Sequence, residues 1–367
     1  MPEPDTVCGY GLADVRKSLR DAIDRRERRA ANRWTAELVA TPGAVGSLWS
    51  AYWLAWSSAQ GAGSASPTIP ILLKQAWTLM TEAAHGHASV AASQTDAWAS
   101  FRNDPQVRAA AAEMTARLLG QPHQTPVVWP SREIALYDVG KMREETVPPS
   151  ADGPVTLRVW QRGEDSMELR VLAGRWLDAL QTGNLREALS AVFWTLMTQA
   201  QQGLTTPLKC AERGPASLPP KARASPLWYW LDLGRACILS RSSLHRGWAT
   251  MHAAIAEAFK LHYKRWTATD RMRVLLAWTL QIRATFVAQE EALWAAPAVS
   301  QTLAEIDLPY RELAAEKANP NDTVIRHEKA PDPEKVSKEQ AKDKMAAKMA
   351  DADAAIMAAL GLSEADF

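Results

Sequence analysis

Apolar positions recur along most of this chain at three- and four-residue steps, the period of a helix with one buried face. In Leu12–Ile23, the residues Leu12, Val15, Leu19 and Ile23 form one such stripe with polar residues between them. Arg28–Val39 predicts a second helix with Trp34 and Leu38 inward, stopped by Thr41-Pro42-Gly43. The next segment, GSLWSAYWLAW at 46–56, places Trp49, Trp53 and Trp56 at i, i+4 and i+7 on a third helix, flanked by Leu48 and Tyr52. Ile69–Ala84, with Leu72, Ala76, Leu79 and Met80 on one side, and Asp104–Leu119, with Pro105 in its first turn, predict two more.

The pattern breaks at 120–160, where Pro122, Pro126, Pro130, Pro148, Pro149 and Pro154 punctuate short β-branched runs such as TPVVWP and GPVTLRVW. An extended connector or one or two short strands are expected there. Helical spacing resumes at Met167–Leu180, Leu185–Gln199, Pro226–Leu239, Leu244–Tyr263 and Asp270–Leu293. A proline-rich loop, 203–225, interrupts that series. Beyond Pro309 apolar density falls, and 319–340 reads as disordered or weakly helical. A final amphipathic stripe is formed by Met345, Met349, Ile356 and Leu360.

The predicted class is therefore all-α. Its expected layout is an N-terminal helical-bundle domain (1–120), a proline-rich connector (121–165), a second helical-bundle domain (166–310) and a flexible charged tail (311–367). The halves echo each other: RDAIDRRERRAANRWTAEL near the start resembles LDALQTGNLREALSAVFWTLM at 177–197, and SLWSAYWL resembles SPLWYWLDL at 225–233. The spacings drift, so an internal duplication stays open.

Composition narrows the function classes. The 367 residues carry a formal net charge of +1, so any pull toward nucleic acid has to come from a local patch. The three cysteines, Cys8, Cys210 and Cys237, are scattered, which fits a reducing, intracellular (cytoplasmic or nuclear) setting rather than a disulfide framework. The first residues lack a basic segment followed by an apolar core, so no signal peptide is expected. The longest apolar stretch, Gly43–Ala59, is interrupted by serines and shorter than the roughly 20 residues of a spanning helix, so no membrane partner is expected. Tryptophan is the outlier, 16 residues against 6 Tyr and 5 Phe. Either a Trp-filled core or partner-facing anchors would account for it.

No phosphate-binding glycine loop, dinucleotide fingerprint, Cys-x-x-Cys, His-Glu-x-x-His or Gly-x-Ser-x-Gly occurs. His85-Gly86-His87 reads as a solvated pair at a helix end, and His245 and His252 as satisfied or exposed helix residues. The chain is thus read as non-enzymatic, with no cofactor and no metal.

The strongest local signal is basic charge. Between Leu12 and Trp34 lie Arg16, Lys17, Arg20, Arg25, Arg26, Arg28, Arg29 and Arg33 against four carboxylates, an excess of +4. Part is balanced by Arg20–Asp24 at i, i+4, whereas the RRERR turn at 25–29 cannot neutralise itself in that way. It is either a solvated face or a phosphate or acidic-partner contact. A second patch, Lys260, Lys264, Arg265, Arg271 and Arg273, has Trp266 interleaved. Base stacking by the 46–56 helix is not expected, because no Lys or Arg lies between Arg33 and Lys74.

The segment VRKSLRDAIDRRERRAANRWTAELVATPGAVGSLWSAYWLAWSS, followed by PTIPILLKQAW, resembles the C-terminal helical collar of clamp-loader-type AAA+ ATPases of the replication-associated recombination subgroup. The shared rhythm is a helix, a charged turn, a helix with an Ala-x-x-Trp-like segment, a bulky helix and a proline-led helix, over residues 12–84. The whole ATPase module is absent, so the resemblance implies no ATP hydrolysis. It implies an accessory factor of replication or recombination, viral or phage origin included, that associates with other subunits as a homo- or hetero-oligomer and contacts DNA. The DNA contacts would come from the basic residues of 16–33 with Lys264 and Arg265, and the partner contacts from the Met345–Leu360 stripe. A structural assembly protein with Trp-anchored contacts is the alternative.

Overall fold

A computed structural model describes residues 6–59, 68–121, 148–200, 208–240, 246–284 and 296–318. Every regular element among them is helical, and the only β-type pairing among them is an isolated bridge between Arg162 and Asp165. The predicted all-α class holds because periodic apolar stripes dominate and no alternating run finds a partner strand.

The first six helices are α1 (Leu12–Asp24), α2 (Arg28–Ala40), α3 (Val45–Ser58), α4 (Thr68–Val90), α5 (Gln94–Asn103) and α6 (Pro105–Leu119). Side-chain caps set two starts. The Ser93 hydroxyl accepts from the Asp96 amide, and the Asp104 carboxylate accepts from Gln106 and Val107 with Pro105 at the first position. The stripe Val15, Leu19 and Ile23 is buried as its spacing predicts. On α4 the anticipated Met80 is fully buried, but Leu73 rather than Leu72 joins it, and the helix runs six residues past Ala84.

α3 departs from the amphipathic reading. It is buried on every side from Ser47 to Ser57, serines included. The reason is position: α1, α2, α4 and α6 surround it from the N-terminal half, and a helix of the second half closes the remaining side. A helix apolar all round belongs in the centre of a fold. Its polar atoms are satisfied locally. Trp49 donates to the Leu73 carbonyl (3.0 Å), Ser57 to the Leu54 carbonyl (2.8 Å), and Tyr52 to the Ala111 carbonyl (2.9 Å) beside Thr35 and Thr115.

The second half contains a 3-10 turn (Pro149–Asp152), then α7 (Pro154–Val159), α8 (Met167–Thr182), α9 (Leu185–Ala200), the short α10 (Pro220–Arg223), α11 (Pro226–Leu239), α12 (Arg246–His262) and α13 (Ala268–Ala284). GPVTLRVW is thus helical, against the strand expectation. Pro154 starts the turn and buried Thr156 donates to the Ser150 carbonyl, an anchor that outweighs the β preference of the branched residues. TPVVWP lies outside the described residues. Two further helices, α14 (Ala296–Ala304) and α15 (Asp307–Ala318), follow, and α15 runs through the position where the charged tail was expected to begin.

The α1–α2 and α8–α9 hairpins share two local features. Each turn holds one left-handed residue, Arg26 (φ 61°) and Gly183 (φ 76°), and each second helix carries a Trp-Thr pair whose threonine is buried. One contiguous apolar core runs from α1 through α13. The halves join where α13 packs on α3 and α12 on α4, with a Lys74–Glu257 ion pair (2.7 Å) across the second contact. Within the second half Trp176 stacks on Trp278 (5.7 Å, 7°), and Trp230 tilts against Trp176.

The closest backbone approach is at Gly234 of α11, where a Cβ would lie 2.0 Å from the Trp278 ring. Because Trp278 is fully buried and wedged against Trp176, it has no free direction to move. Gly234→Ala should therefore destabilise the fold by about 3 kcal/mol, read as a lower urea midpoint with a red-shifted tryptophan emission.

Candidate nucleic-acid interface

The α1–α2 turn is built by backbone hydrogen bonds that leave Arg26 left-handed. Glu27 donates to the Ala22 carbonyl (2.9 Å) and Arg26 to the Ile23 carbonyl (3.0 Å), the paired bonds of a Schellman ending in which glycine is the usual left-handed residue. The arginine has a compensating contact: its guanidinium donates to the Gln121 carbonyl (2.6 Å) at the end of α6.

Its neighbours are likewise engaged inside the chain. Arg28 pairs with Glu305 (3.4 Å) and Arg29 with Glu312 (2.8 Å), both on the α14–α15 hairpin. Arg33 donates to the Tyr10 hydroxyl (3.2 Å) and lies over the Trp34 ring. Arg25 makes only a long, exposed contact with Glu27 (4.0 Å). The RRERR turn is therefore balanced largely by distant carboxylates. Arg16, Lys17 and Arg20 stand on α1, Lys17 exposed and the other two half-buried, with no ion pair among the described residues.

The second patch lies on a rigid turn between α12 and α13. Trp266 is buried and donates its indole N–H to Ser50 of α3 (2.9 Å), so it is a core residue and not a stacking platform. Arg271 donates to the Tyr263 and Trp266 carbonyls (2.8 and 3.0 Å), closing the end of α12. Thr267 and Asp270 cap α13 reciprocally, Asp270 N–H to Thr267 Oγ1 (3.1 Å) and Thr267 N–H to Asp270 Oδ2 (3.2 Å). Lys264 and Arg265 are thereby presented outward from a fixed backbone. Arg265 lies against Gly46 at the start of α3, where a Cβ would come within 2.9 Å of its guanidinium carbon.

The two patches converge. Burial raises the Asp24 carboxyl above the ordinary aspartate value, and Arg20 of α1 and Arg273 of α13 both pull it down while Asp21 pushes it up. Arg273 is thus near enough to feel Asp24, although some 250 residues separate them in sequence. Arg273 of α13 lies within electrostatic reach of Asp24 at the end of α1, and Arg265 of the 264–265 turn lies against the uncapped N-terminus of α3. Its helix dipole adds positive potential there. Arg273 was seen in the sequence only as part of the second patch; nothing local indicated that it would meet Asp24.

Two further clusters of titratable groups are held by contacts within the chain. His87 lies within α4, not in a loop, and bonds Asp104 (2.8 Å); burial opposes ionisation of that carboxyl, but His87 and two backbone amides hold it below its ordinary value. Asp165 is fully enclosed by Arg213 (2.5 and 2.8 Å) and the amides of Gln161 and Ala211, which outweigh burial and lower its pKa. Beside them burial pushes the Cys210 thiol up to about 12, so it is no nucleophile at neutral pH. No group of three His, Cys, Asp or Glu residues able to hold a metal occurs among the described residues, and none of their helices is long and apolar enough to cross a membrane. Met345, Met349, Ile356, Leu360 and His245 lie outside the described residues.

Beneath the α12–α13 turn, His262 is buried between Trp77 and Trp266 with neither ring nitrogen hydrogen-bonded among the described residues. His252 accepts from the Trp278 indole (3.1 Å). Burial, with Arg265 near the first and Arg235 near the second, pushes both down to about 4. Both are neutral in the folded chain, while the unfolded chain takes up protons below about 6.5. Stability should hold above that pH and fall as pH drops from about 6.5 to about 4. His262→Leu should shrink the loss between pH 7 and pH 5 by about 2 kcal/mol, measured by urea denaturation at both pH values. At the α1–α2 turn, Arg26→Ala keeps the left-handed strain and loses the Gln121 bond, whereas Arg26→Gly relieves the strain. The glycine variant should be the more stable of the two by about 1 kcal/mol in the same assay. In comparisons with known proteins, no family model, no curated protein and no solved structure matches this chain.

Proposed function

We propose that this chain is a non-enzymatic, collar-like accessory factor that binds the phosphate backbone of DNA through the face shared by α1 and the α12–α13 turn. The observation that carries the reading is that α1 and the α12–α13 turn both lie against α3, the turn through the buried Trp266–Ser50 bond, with Arg273 of α13 within electrostatic reach of Asp24 on α1. Lys17, Lys264 and Arg265 extend that face, and each is solvent-exposed on an element fixed by buried contacts. Cations so placed give affinity that is independent of base sequence and steeply dependent on salt.

The internal ion pairs narrow the contact set. Arg26, Arg28, Arg29 and Arg33 have partners within the chain, so Arg16, Lys17, Arg20, Arg25, Lys264, Arg265 and Arg273 carry the initial phosphate contact. The resemblance of residues 12–84 to a clamp-loader collar supports a role in replication or recombination, in association with other subunits. Trp-anchored assembly draws no support from α3, α11 or α13, whose tryptophans are packed inside the chain's own core.

Filter binding of a short DNA duplex over a salt series tests the reading. Wild type should bind with a steep negative dependence of log affinity on log salt. The variant Lys17→Ala/Arg20→Ala/Lys264→Ala/Arg265→Ala/Arg273→Ala should lose at least about tenfold in affinity and show a shallower slope while keeping its helical circular dichroism. Equal retention of the variant and wild type would refute the assignment.

A further inference from the structure

The α14–α15 hairpin sits on α6 through α14 and on α2 through α15. Its charged contacts all run in one direction. Glu305, Asp307 and Glu312 of the hairpin segment meet Arg28, Arg108 and Arg29 of the body at 3.4, 2.9 and 2.8 Å. The Arg29 side chain is 85% exposed and the Asp307 side chain 56%, so salt screens these pairs readily. Leu313 joins Ala36 and Ala40 in a cluster separate from the main core, and Tyr310 packs under the Arg108 guanidinium (4.1 Å). The seam is also imperfect. It encloses a void of about 10 Å³ bordered by Asn32 and Thr302, and the buried Asn32 Oδ1 and Thr302 Oγ1 have no hydrogen-bond partner among the described residues. Leu303 and Leu308 of the hairpin face solvent.

An element held by same-sense, partly exposed ion pairs, an apolar cluster separate from the main core and unsatisfied polar atoms opens at lower cost than the core. Its three carboxylates occupy three arginines on α2 and α6, and two of these, Arg28 and Arg29, adjoin the cationic face. Carboxylate and phosphate make the same forked contact with a guanidinium, so one can replace the other. We propose that α14–α15 is an autoinhibitory strap that covers Arg28, Arg29 and Arg108 and is displaced when a nucleic-acid phosphate backbone competes for them. This rests on the phosphate-binding reading of the adjoining face, and it makes binding a two-stage event: contact through α1 and the 264–265 turn, then release of the strap to enlarge the footprint.

Hydrogen exchange read by mass spectrometry on the full chain, with and without a 20-base-pair duplex, tests the strap alongside affinity measurements. Amides of 296–318 should exchange at least about tenfold faster than those of α3, and faster again on adding salt or the duplex. The variant Glu305→Gln/Asp307→Asn/Glu312→Gln should accelerate exchange in 296–318 alone. It should also bind the duplex about fivefold more tightly than the equally charged control Asp14→Asn/Glu82→Gln/Glu164→Gln, whose carboxylates lie away from the strap. If the duplex binds but leaves exchange in 296–318 unchanged, or the strap variant binds no better than the control, the strap is overturned and the phosphate-binding reading stands. If no duplex binds to wild type or either variant at low salt, the phosphate-binding reading falls and the strap's proposed role with it.

Discussion

The burial of α3 on all sides is the constraint on which the rest of this fold depends. Four aromatic rings in this helix have to leave water together, and no single neighbouring helix can cover them. α1, α2, α4 and α6 enclose most of the surface, and α12 and α13 close it from the other half of the chain. Replacing one buried tryptophan by alanine removes about 3–5 kcal/mol, a large part of the net stability of an ordinary domain. The Trp266–Ser50 hydrogen bond shows how specific the closure is: a polar atom on the central helix is matched by an indole more than two hundred residues away.

That closure has an electrostatic consequence. Fixing Trp266 under α3 fixes the turn that carries Lys264 and Arg265, and α1 packs on the same central helix. The placement of these cations is thus a by-product of core packing. They need no mutual attraction, because the apolar contacts beneath supply the free energy that holds them in place.

The α14–α15 hairpin follows the opposite logic. There the described apolar cluster is separate from the main core and three partly exposed ion pairs tie the hairpin to the body, so ionic strength bears on it more than on α3. The same contrast orders the tryptophans and arginines of this composition: the former build the interior, and the latter are divided between internal carboxylates and open surface.

The sequence by itself determined the helical class, most helix starts and the positions of the apolar stripes, because 3.6-residue periodicity, proline at first turns and Asp or Ser caps act over a few residues. It also located both basic patches. Other features were invisible to it for a common reason, since they depend on contacts between distant segments. α3 read as amphipathic because its serines look exposed until Trp266 of the α12–α13 turn covers Ser50. GPVTLRVW read as a strand because its branched residues are silent about the Ser150 carbonyl that receives Thr156. The RRERR turn read as unbalanced because Glu305 and Glu312 lie nearly three hundred residues away. Only the tertiary structure decided which cations are paired, which share a face, and that Trp266 belongs to the core, because burial and charge compensation are set by which surfaces meet.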